Sequence, residues 1–282
     1  MNKKVQSSIH QLADKAQNKK TGKKVKPKVG EAVGKEVKAK PGKDKKEKKV
    51  KTAPKKASVK EISLKGLLEA GCHFGHKKSK THPKIKSYIY TVRDGIVIFD
   101  LVKTRDCLNE AKAFLSALTK KGGKVVFVAT KRQAKEVVRE EAKRIEMPYV
   151  VSRWIGGTIT NWDEIKKNNI DELNRLKKDW QEGKFKKRPK KEQSVVGREI
   201  SRLDRLVGGI SGLDKLFDAV FVVDLKVEKT AIKEAKTRGI PIIAVVDSNC
   251  DPTTVDYPIC ANDDAAKSIQ FLVGELGKAI KS

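Results

Sequence analysis

The sequence predicts an α/β fold with a doubly wound, mostly parallel sheet, on three observations. Continuous apolar runs occur at KVVFVAT (124–130), DAVFVVDL (218–225) and PIIAVVD (241–247), and such runs are typical of strands buried on both faces. Segments with helical periodicity separate the runs. Strands that alternate with helices along the chain indicate parallel pairing, with helices on both faces of the sheet.

The chain before the first run predicts a short helix and a hairpin. The helix is expected to begin at Ser63 and to end at Gly71. The apolar segments 88–92 and 96–101 flank Arg93-Asp94-Gly95, and Asp-Gly between two such segments is a strong hairpin signal. After the hairpin, helices are expected over about 104–121, 131–146, 227–238 and from 262 onward, with short strands at 148–151 and 257–260. Thr130 and Gln133 predict a capping box for the second of these helices.

Residues 161–207 interrupt this alternation and predict an inserted α-helical hairpin, so the α/β domain comprises 61–160 and 208–282. TNWDEIKKNNIDELNRLKKDWQ and VVGREISRLDRLV have helical periodicity, and the basic stretch KFKKRPKKEQ turns between them at Pro189. An apolar stripe favours coiled-coil-like packing of the two helices against each other. The stripe consists of Ile165, Leu173, Leu176, Leu203 and Leu206.

The charge of the chain indicates a polyanionic partner. The formal net charge is +29, from 64 Lys and Arg against 35 Asp and Glu. Residues 1–60 form a low-complexity polybasic extension with 21 Lys and 5 acids, which predicts disorder. Residues 61–282 still carry 43 cations against 30 acids. Nucleic acid is the usual partner of such a chain, and the extension is either an arm on RNA or DNA or a solubilising tail.

Cysteine usage and hydropathy predict a cytoplasmic protein with no membrane partner. The four cysteines form no C-x-x-C pair, so reduced thiols are expected. The N-terminus lacks the apolar run of a secretory signal. No apolar run approaches the roughly 20 residues that a membrane helix needs.

The sequence lacks the glycine-rich loops that a nucleotide-binding enzyme needs. The turn after the first buried strand is ATKRQA (129–134), where a dinucleotide fold requires G-x-G-x-x-G. No P-loop motif occurs either. Asp224, Asp247 and Asp251 lie after strands and are weak catalytic candidates, because residues of this kind more often close turns or cap helices.

A metal site is a second alternative with little support in the sequence. Cys72, His73 and His76 lie together and His82 follows, but no other pair of ligands with suitable spacing occurs. We therefore predict no metal and no cofactor.

Cations in the loops of the α/β domain form the candidate nucleic-acid interface. The candidate phosphate-binding residues are Lys77, Lys78, Lys80, Lys84, Lys86, Arg93, Lys131, Arg132 and Arg153. Arginine binds phosphate in bidentate geometry, and Lys131 and Arg132 are expected at a helix start, where free N–H groups favour anions. Aromatic residues make up 5% of the chain, which favours recognition of RNA shape and backbone over base stacking on a sheet.

The stretch RWIGGTITNW (153–162) has two interpretations. Its glycines and Arg153 are compatible with the phosphate loop of an enzyme. Its position after a short predicted strand, where the helical hairpin begins, favours a structural joint. In that case Trp154 and Trp162 pack the root of the hairpin against the sheet, because a buried tryptophan usually contributes a large apolar area to packing.

A set of longer motifs over residues 62–275 resembles the bacterial small-subunit ribosomal protein two family. The motifs include LLEAGCHFGH, HPKIKSYIY, RDGIVIFDL, GGKVVFVATKRQA, MPYVVSRWIGGTITN, EAKTRGIPIIAVVDSNCDP and DYPICANDDA. The resemblance implies a flavodoxin-like fold and a protein without enzymatic activity. It also implies a place on small-subunit ribosomal RNA beside other small-subunit proteins, including the large mRNA-binding protein numbered one. An α/β enzyme acting on a nucleotide or sugar phosphate, and a nucleic-acid-compacting protein driven by the Lys-rich tail, are the alternative functions.

Overall fold

The computed structural model describes residues 62–281, so the disorder predicted for residues 1–60 lies outside the described residues. The helices are α1 (Leu64–Glu69), α2 (Leu101–Thr119), α3 (Lys135–Arg144), α4 (Trp162–Ile165), α5 (Glu172–Gln181), α6 (Lys190–Val207), α7 (Lys229–Arg238) and α8 (Ala266–Lys281). The strands are β1 (Phe74–Lys77), β2 (Ile89–Arg93), β3 (Ile96–Phe99), β4 (Val125–Val128), β5 (Tyr149–Val150), β6 (Ala219–Val223), β7 (Ile242–Val246) and β8 (Tyr257–Cys260). Among residues 62–281, no helix is both long and apolar enough to cross a bilayer.

The central sheet has five parallel strands in the order β5-β4-β6-β7-β8. Numbered by chain order within this sheet, the strands run 2-1-3-4-5, as in flavodoxin-like doubly wound folds. The three apolar runs of the sequence form β4, β6 and β7, and every residue of these strands is buried. The predicted α/β class with a mostly parallel sheet is therefore confirmed.

Successive side chains of the central strands point to opposite faces of the sheet. Each face has its own hydrophobic core. Val125 and Phe127 belong to the core beneath α2, α3 and α8. Val126 and Val128 belong to the opposite core, which contains residues of α7 and of the helices after residue 161. Because helices cover both faces, the ends of the strands are the places where the sheet reaches the surface.

A separate antiparallel sheet has the strand order β1-β3-β2. Strands β2 and β3 form the predicted hairpin, whose turn places Asp94 (φ 50°) and Gly95 (φ 75°) in the left-handed conformations that a tight hairpin uses. Strand β1 was not predicted, because FGHK has no alternation of apolar and polar residues. It pairs with β3 and brings the FGH motif to this sheet.

Two predicted helix starts are wrong in position. The capping box at Thr130 does not form, because the Thr130 N–H donates to Glu228 Oε1 (2.8 Å) and the chain turns once more before α3 begins at Lys135. Helix α2 begins at Leu101, before the predicted Thr104, because the Asp100 side chain accepts a hydrogen bond from the N–H of Val102 (3.0 Å) and caps it.

Two helical segments follow residue 161, and we call residues 161–207 the helix pair. The first runs through α4, a π-helical segment (Lys166–Asp171) and α5, and the second is α6, which begins directly after Pro189. Leu173 and Leu203 of the predicted stripe are buried in the core that also contains β4 and β6 residues. The root of the helix pair is thus continuous with the α/β core.

Candidate nucleic-acid interface

Five of the nine predicted cations lie at the end of β1 or in the loop between β1 and β2. This segment folds into two short 3-10 helices, Lys78–Lys80 and Pro83–Tyr88, rather than an irregular loop. The buried side chain of Ile85 and a hydrogen bond from the His82 N–H to the Ser248 carbonyl (2.8 Å) attach it to the body. The anchored backbone holds the exposed side chains outward, namely Lys77, Lys78, Lys80, Lys84 and Lys86.

Most of these cations are free to meet an external anion. Lys84 is engaged internally, with its Nζ 2.7 Å from Asp251 Oδ2 and 2.9 Å from Thr253 Oγ1. The hydrogen bonds from Lys84 and Thr253 hold the pKa of the Asp251 carboxyl well below its usual range. The ammonium groups of Lys77, Lys78, Lys80 and Lys86 make no hydrogen bond or ion pair within residues 62–281.

The three predicted arginines are exposed on three different turns. Arg93 lies at the tip of the β2–β3 hairpin, with its Nε 3.9 Å from Asp94 Oδ2. Arg132 lies in the turn before α3, and Arg153 follows β5. Neither Arg132 nor Arg153 has a side-chain partner in the described part of the chain. Arg132 stands three residues before the start of α3, so the predicted contribution of a helix N-terminus does not apply to it.

Lys131 differs from the other eight candidates because its side chain is not exposed and its ammonium group contacts three carboxylates. Its Nζ lies 2.6 Å from Asp263 Oδ1, 2.7 Å from Asp264 Oδ1 and 3.3 Å from Asp224 Oδ2. Burial disfavours the charge, but hydrogen bonds to Asp263 and Asp264 prevail and raise the pKa of Lys131. This geometry gives Lys131 a bridging role between the carboxyl ends of β4, β6 and β8.

A second group of charged side chains lies beside Lys131 at the same edge of the sheet. His76 Nδ1 is 3.0 Å from Asp247 Oδ2, and His76 Nε2 is 3.5 Å from Asp264 Oδ2. A hydrogen bond to Asp247 raises the pKa of His76 despite partial burial. Burial raises the pKa of Asp263 to about 7, with help from the neighbouring carboxylates of Asp247 and Asp224. Carboxylates outnumber cations in this cluster.

One ligand atom from each of His76, Asp247 and Asp264 lies within 4.8 Å of the others, so these three residues could hold a divalent cation. The sequence indicated Cys72 as a possible metal ligand beside His76, but the Cys72 thiol is not part of this group of ligand atoms. Cys72 is buried, and its Sγ accepts a hydrogen bond from Ser268 (3.3 Å). Asp247 and Asp264 were missed as partners because they lie more than 170 residues from His76 in the chain.

The crevice where a nucleotide would bind in this fold contains protein side chains. In the 2-1-3-4-5 order, ligands bind between the first and third strands, here β4 and β6, beyond their carboxyl ends. The Lys131–Asp224 contact spans this point, and the turn after β4 is held by Glu228. A cleft of about 300 Å³, lined in part by Gly239, Pro241 and Thr254, lies instead at the amino ends of β7 and β8.

Comparison with known proteins identifies the family. The model of the family described as Ribosomal protein S2 matches residues 67–282. A small ribosomal subunit protein uS2 from Cytophaga hutchinsonii is 48% identical over 223 residues, which cover 79% of this chain and 87% of that protein. The uS2 protein of Coprothermobacter proteolyticus is 47% identical over 219 residues, or 78% of this chain and 81% of the relative. That of Dehalococcoides mccartyi is 46% identical over 218 residues, or 77% and 89%.

The chain belongs to the Ribosomal protein S2 family. The resemblance drawn from the sequence motifs is confirmed, and all nine candidate cations lie within the residues that match the Ribosomal protein S2 family.

In this Ribosomal protein S2 family member, RWIGGTITNW is a structural joint. Trp154 and Trp162 are buried, and the ring of Trp162 packs edge-on against Phe217 at 6.4 Å. Glu234 of α7, itself buried, accepts hydrogen bonds from Trp154 Nε1 (3.3 Å), the Gly157 N–H (2.8 Å) and the Ile159 N–H (2.9 Å). A carboxylate fills the place that a phosphate would need, so these backbone donors are not available to a ligand. Sequence reasoning missed Glu234, because a glutamate within a predicted helix is expected to lie on the helix surface.

Proposed function

We propose that this chain is a structural component of the small ribosomal subunit that binds the phosphates of small-subunit ribosomal RNA. The observation that carries the proposal is the set of free, exposed cations on anchored loops of a chain whose relatives are named small ribosomal subunit protein uS2. As a component of the ribosome, the protein is expected in the cytoplasm.

Rigid presentation of charge is what a phosphate-binding scaffold requires. Lys77, Lys78, Lys80 and Lys86 project from a backbone fixed by Ile85 and Ser248. Ordering such a loop in advance reduces the entropy that binding must offset. Each lysine that neutralises a phosphate releases condensed counterions, so the contacts act together and depend on salt. We assign the phosphate contacts to these four lysines with Arg93, Arg132 and Arg153, and we assign Lys131 and Lys84 to holding the site together.

We infer that neighbouring proteins dock on the three-stranded sheet. Phe74, Tyr90, Val92 and Ile96 are exposed apolar side chains of its three strands, and β1 and β2 are its edges. Exposed apolar patches of this kind mark protein contacts. The large mRNA-binding ribosomal protein numbered one is the partner that the family resemblance suggests for such a surface. We also propose that the helix pair is a helical hairpin inserted into the α/β domain. Residues 1–60 are proposed to be a polybasic arm that binds RNA.

Enzymatic activity has no support from the geometry. Asp251 and Asp224 close turns through hydrogen bonds to the N–H groups of Thr253 and Lys226, as turn residues do. The Thr253 hydroxyl also donates to Asp251 (2.7 Å) and thereby closes the same turn. We therefore propose a non-enzymatic role.

Salt-dependent cosedimentation with small subunits that lack this protein tests the proposal. We expect binding at low salt, with the logarithm of affinity falling linearly against the logarithm of salt concentration. The double variant Lys78→Gln/Lys80→Gln should lower the magnitude of that slope by roughly 0.7–0.9 for each phosphate that is no longer neutralised. The matched control is Lys120→Gln/Lys121→Gln, two exposed lysines at the other end of the sheet, which should keep the slope. Failure of the unaltered protein to bind subunits at low salt, combined with tight nucleotide binding, would contradict the proposal.

A further inference from the structure

The turn of the helix pair combines dense positive charge with exposed aromatic surface. Residues 183–191 read GKFKKRPKK, in which six of nine residues are cationic and none is acidic. Trp180 lies just before this turn and is 44% exposed, whereas the other two tryptophans are 7% and 8% exposed. None of the nine predicted phosphate-binding residues lies here. The turn is therefore a second, independent feature of the molecule.

Two of the six cations shape the turn from within. Lys184 Nζ lies 2.6 Å from Asp179 Oδ1 and 2.9 Å from Glu182 Oε2, which fixes the start of the turn. The Arg188 guanidinium lies over the ring of Phe185, 5.2 Å from its centroid. These contacts hold the backbone and the Phe185 ring in place.

The aromatic groups form a continuous platform. The Phe185 ring lies 6.1 Å from the Trp180 ring, with an angle of 38° between their planes. Phe185 thus lies between Arg188 and Trp180, and Trp180 is the most exposed of the three tryptophans. A partly exposed indole beside a cation-rich turn offers a stacking surface for a planar ring.

The remaining four cations of the turn have no internal partner. Lys186, Lys187, Lys190 and Lys191 are exposed, and their ammonium groups make no hydrogen bond or ion pair within the described residues. Single-stranded nucleic acids bind where bases stack on aromatic side chains and cations neutralise the backbone. Recognition of RNA loops and bulges likewise stacks splayed-out bases on aromatic side chains.

We propose that the turn around Trp180 captures an unstacked base of looped RNA, with Trp180 as the stacking surface and Lys186, Lys187, Lys190 and Lys191 on the flanking phosphates. The combination of unpaired cations with a partly exposed aromatic ring favours RNA, which offers phosphates and bases to the same surface. This inference rests on the proposed function, and it adds base stacking to a protein whose loop lysines contact only the backbone.

Titration of the full-length chain with an RNA stem-loop, followed by tryptophan fluorescence, tests the inference. A blunt RNA duplex of equal length is the comparison. Because Trp154 and Trp162 are buried, quenching reports on Trp180. We expect the stem-loop to quench the emission and the duplex to leave it unchanged. Trp180→Ala should weaken stem-loop binding by at least about fivefold while keeping the salt slope, since this variant removes a base–aromatic stack and keeps every phosphate-binding lysine.

Two further variants separate stacking from a change in fold. Trp180→Phe keeps an aromatic face and should bind the stem-loop within about threefold of the unaltered protein, with the quenching abolished. Val195→Ala truncates an exposed side chain of α6 that is apolar but not aromatic, so this variant should bind the stem-loop like the unaltered protein. Equal binding by Trp180→Ala and the unaltered protein would overturn the inference. So would stronger quenching by an acidic polyglutamate peptide than by the stem-loop, which would indicate a protein partner.

Cosedimentation with small subunits, run on the same variants, distinguishes the two proposals. If Trp180→Ala binds both subunits and stem-loop like the unaltered protein, the stacking inference fails and the ribosomal role stands. If the unaltered protein binds the stem-loop but no subunit, the ribosomal role fails on its own.

Discussion

Single residues decide how the joint after β5 is built. The two glycines of RWIGGTITNW look equivalent in the sequence, but the structure separates them. Gly157 has φ 91°, a left-handed conformation that other residues rarely adopt, and its N–H donates to Glu234. Gly156 has no positive φ, and a Cβ added there would meet no atom within 4 Å. The conformational requirement therefore belongs to Gly157.

Substitution of Gly157 should weaken the joint and substitution of Gly156 should not. We expect Gly157→Ala to lower the free energy of unfolding by about 1–3 kcal/mol, because alanine is strained at this φ. Gly156→Ala should change it by less than about 0.5 kcal/mol. Urea unfolding of both variants measures the difference. Equal stability of the two variants would show that the left-handed conformation is not what holds the joint.

A buried ion pair between α2 and α8 should make stability depend on acid. Lys112 Nζ lies 2.7 Å from Glu275 Oε2, and both side chains are largely buried. Burial alone would raise the pKa of Glu275, but hydrogen bonds from Lys112 and Lys278 prevail and lower it. Because the folded pKa lies below the unfolded value of about 4.3, this stabilisation is present above that value and is lost as pH falls through the folded pKa.

Glu275→Gln should therefore destabilise the protein at pH 7 and matter less in acid. Removal of the carboxylate leaves Lys112 as an uncompensated buried charge, at a cost of about 3–5 kcal/mol. Denaturant unfolding at pH 7 and near pH 3 should show the difference from the unaltered protein becoming smaller at the lower pH. Glu140→Gln, at an exposed glutamate without a partner among residues 62–281, is the control and should show no such change. A deficit that is the same at both pH values would contradict this assignment.

At the scale of elements, a second connection links the helix pair to the edge of the central sheet, at the end of α6. The 3-10 turn Gly208–Ile210 follows α6 and passes directly against β5. A Cβ added at Gly209 would lie 2.2 Å from the Tyr149 carbonyl oxygen and 2.7 Å from the Tyr149 ring. The approach is therefore too close for any side chain.

Gly209→Ala should separate this turn from β5. Overpacking of this kind costs about 1–3 kcal/mol, and a backbone oxygen cannot move aside as a flexible side chain could. Gly212→Ala is the matched control, since a Cβ there would meet nothing within 4 Å. Thermal unfolding of both variants, together with hydrogen exchange at Tyr149 and Val150, reads out the effect. Unchanged exchange at β5 in Gly209→Ala would show that this close approach is not structurally important.

The sequence could predict those elements whose determinants lie within their own residues. The strands β4, β6 and β7 follow from their own composition, and the β2–β3 hairpin follows from Asp94 and Gly95. The start of α3 was wrong because a residue far away in sequence, Glu228, takes the Thr130 N–H. The cluster at the carboxyl ends could not be predicted, because His76 and Asp247 meet only once the two sheets are assembled.

At the scale of the whole molecule, the sequence carries positive charge both in residues 1–60 and in the loops of the α/β body. Residues 1–60 carry their lysines outside the region that matches the family model, which starts at residue 67. The loop cations lie inside that region and project from a fixed backbone. We therefore expect the body to determine where the protein binds and the extension to add affinity that depends on salt.

Removal of residues 1–60 tests this division. The truncated chain should bind small subunits more weakly and with a shallower dependence on salt, because fewer counterions are released. It should still compete with the full-length chain for the same place on the subunit. Complete absence of subunit binding at low salt would show that the body's loops do not carry the interaction.

A density map of the small ribosomal subunit from the organism that makes this protein tests the ribosomal role most directly. We predict density for the α/β body on the subunit, with Lys78, Lys80, Lys86 and Arg153 within hydrogen-bonding distance of ribosomal RNA phosphates. A map in which the body is absent, or in which these side chains face solvent while another surface meets the RNA, would contradict that role.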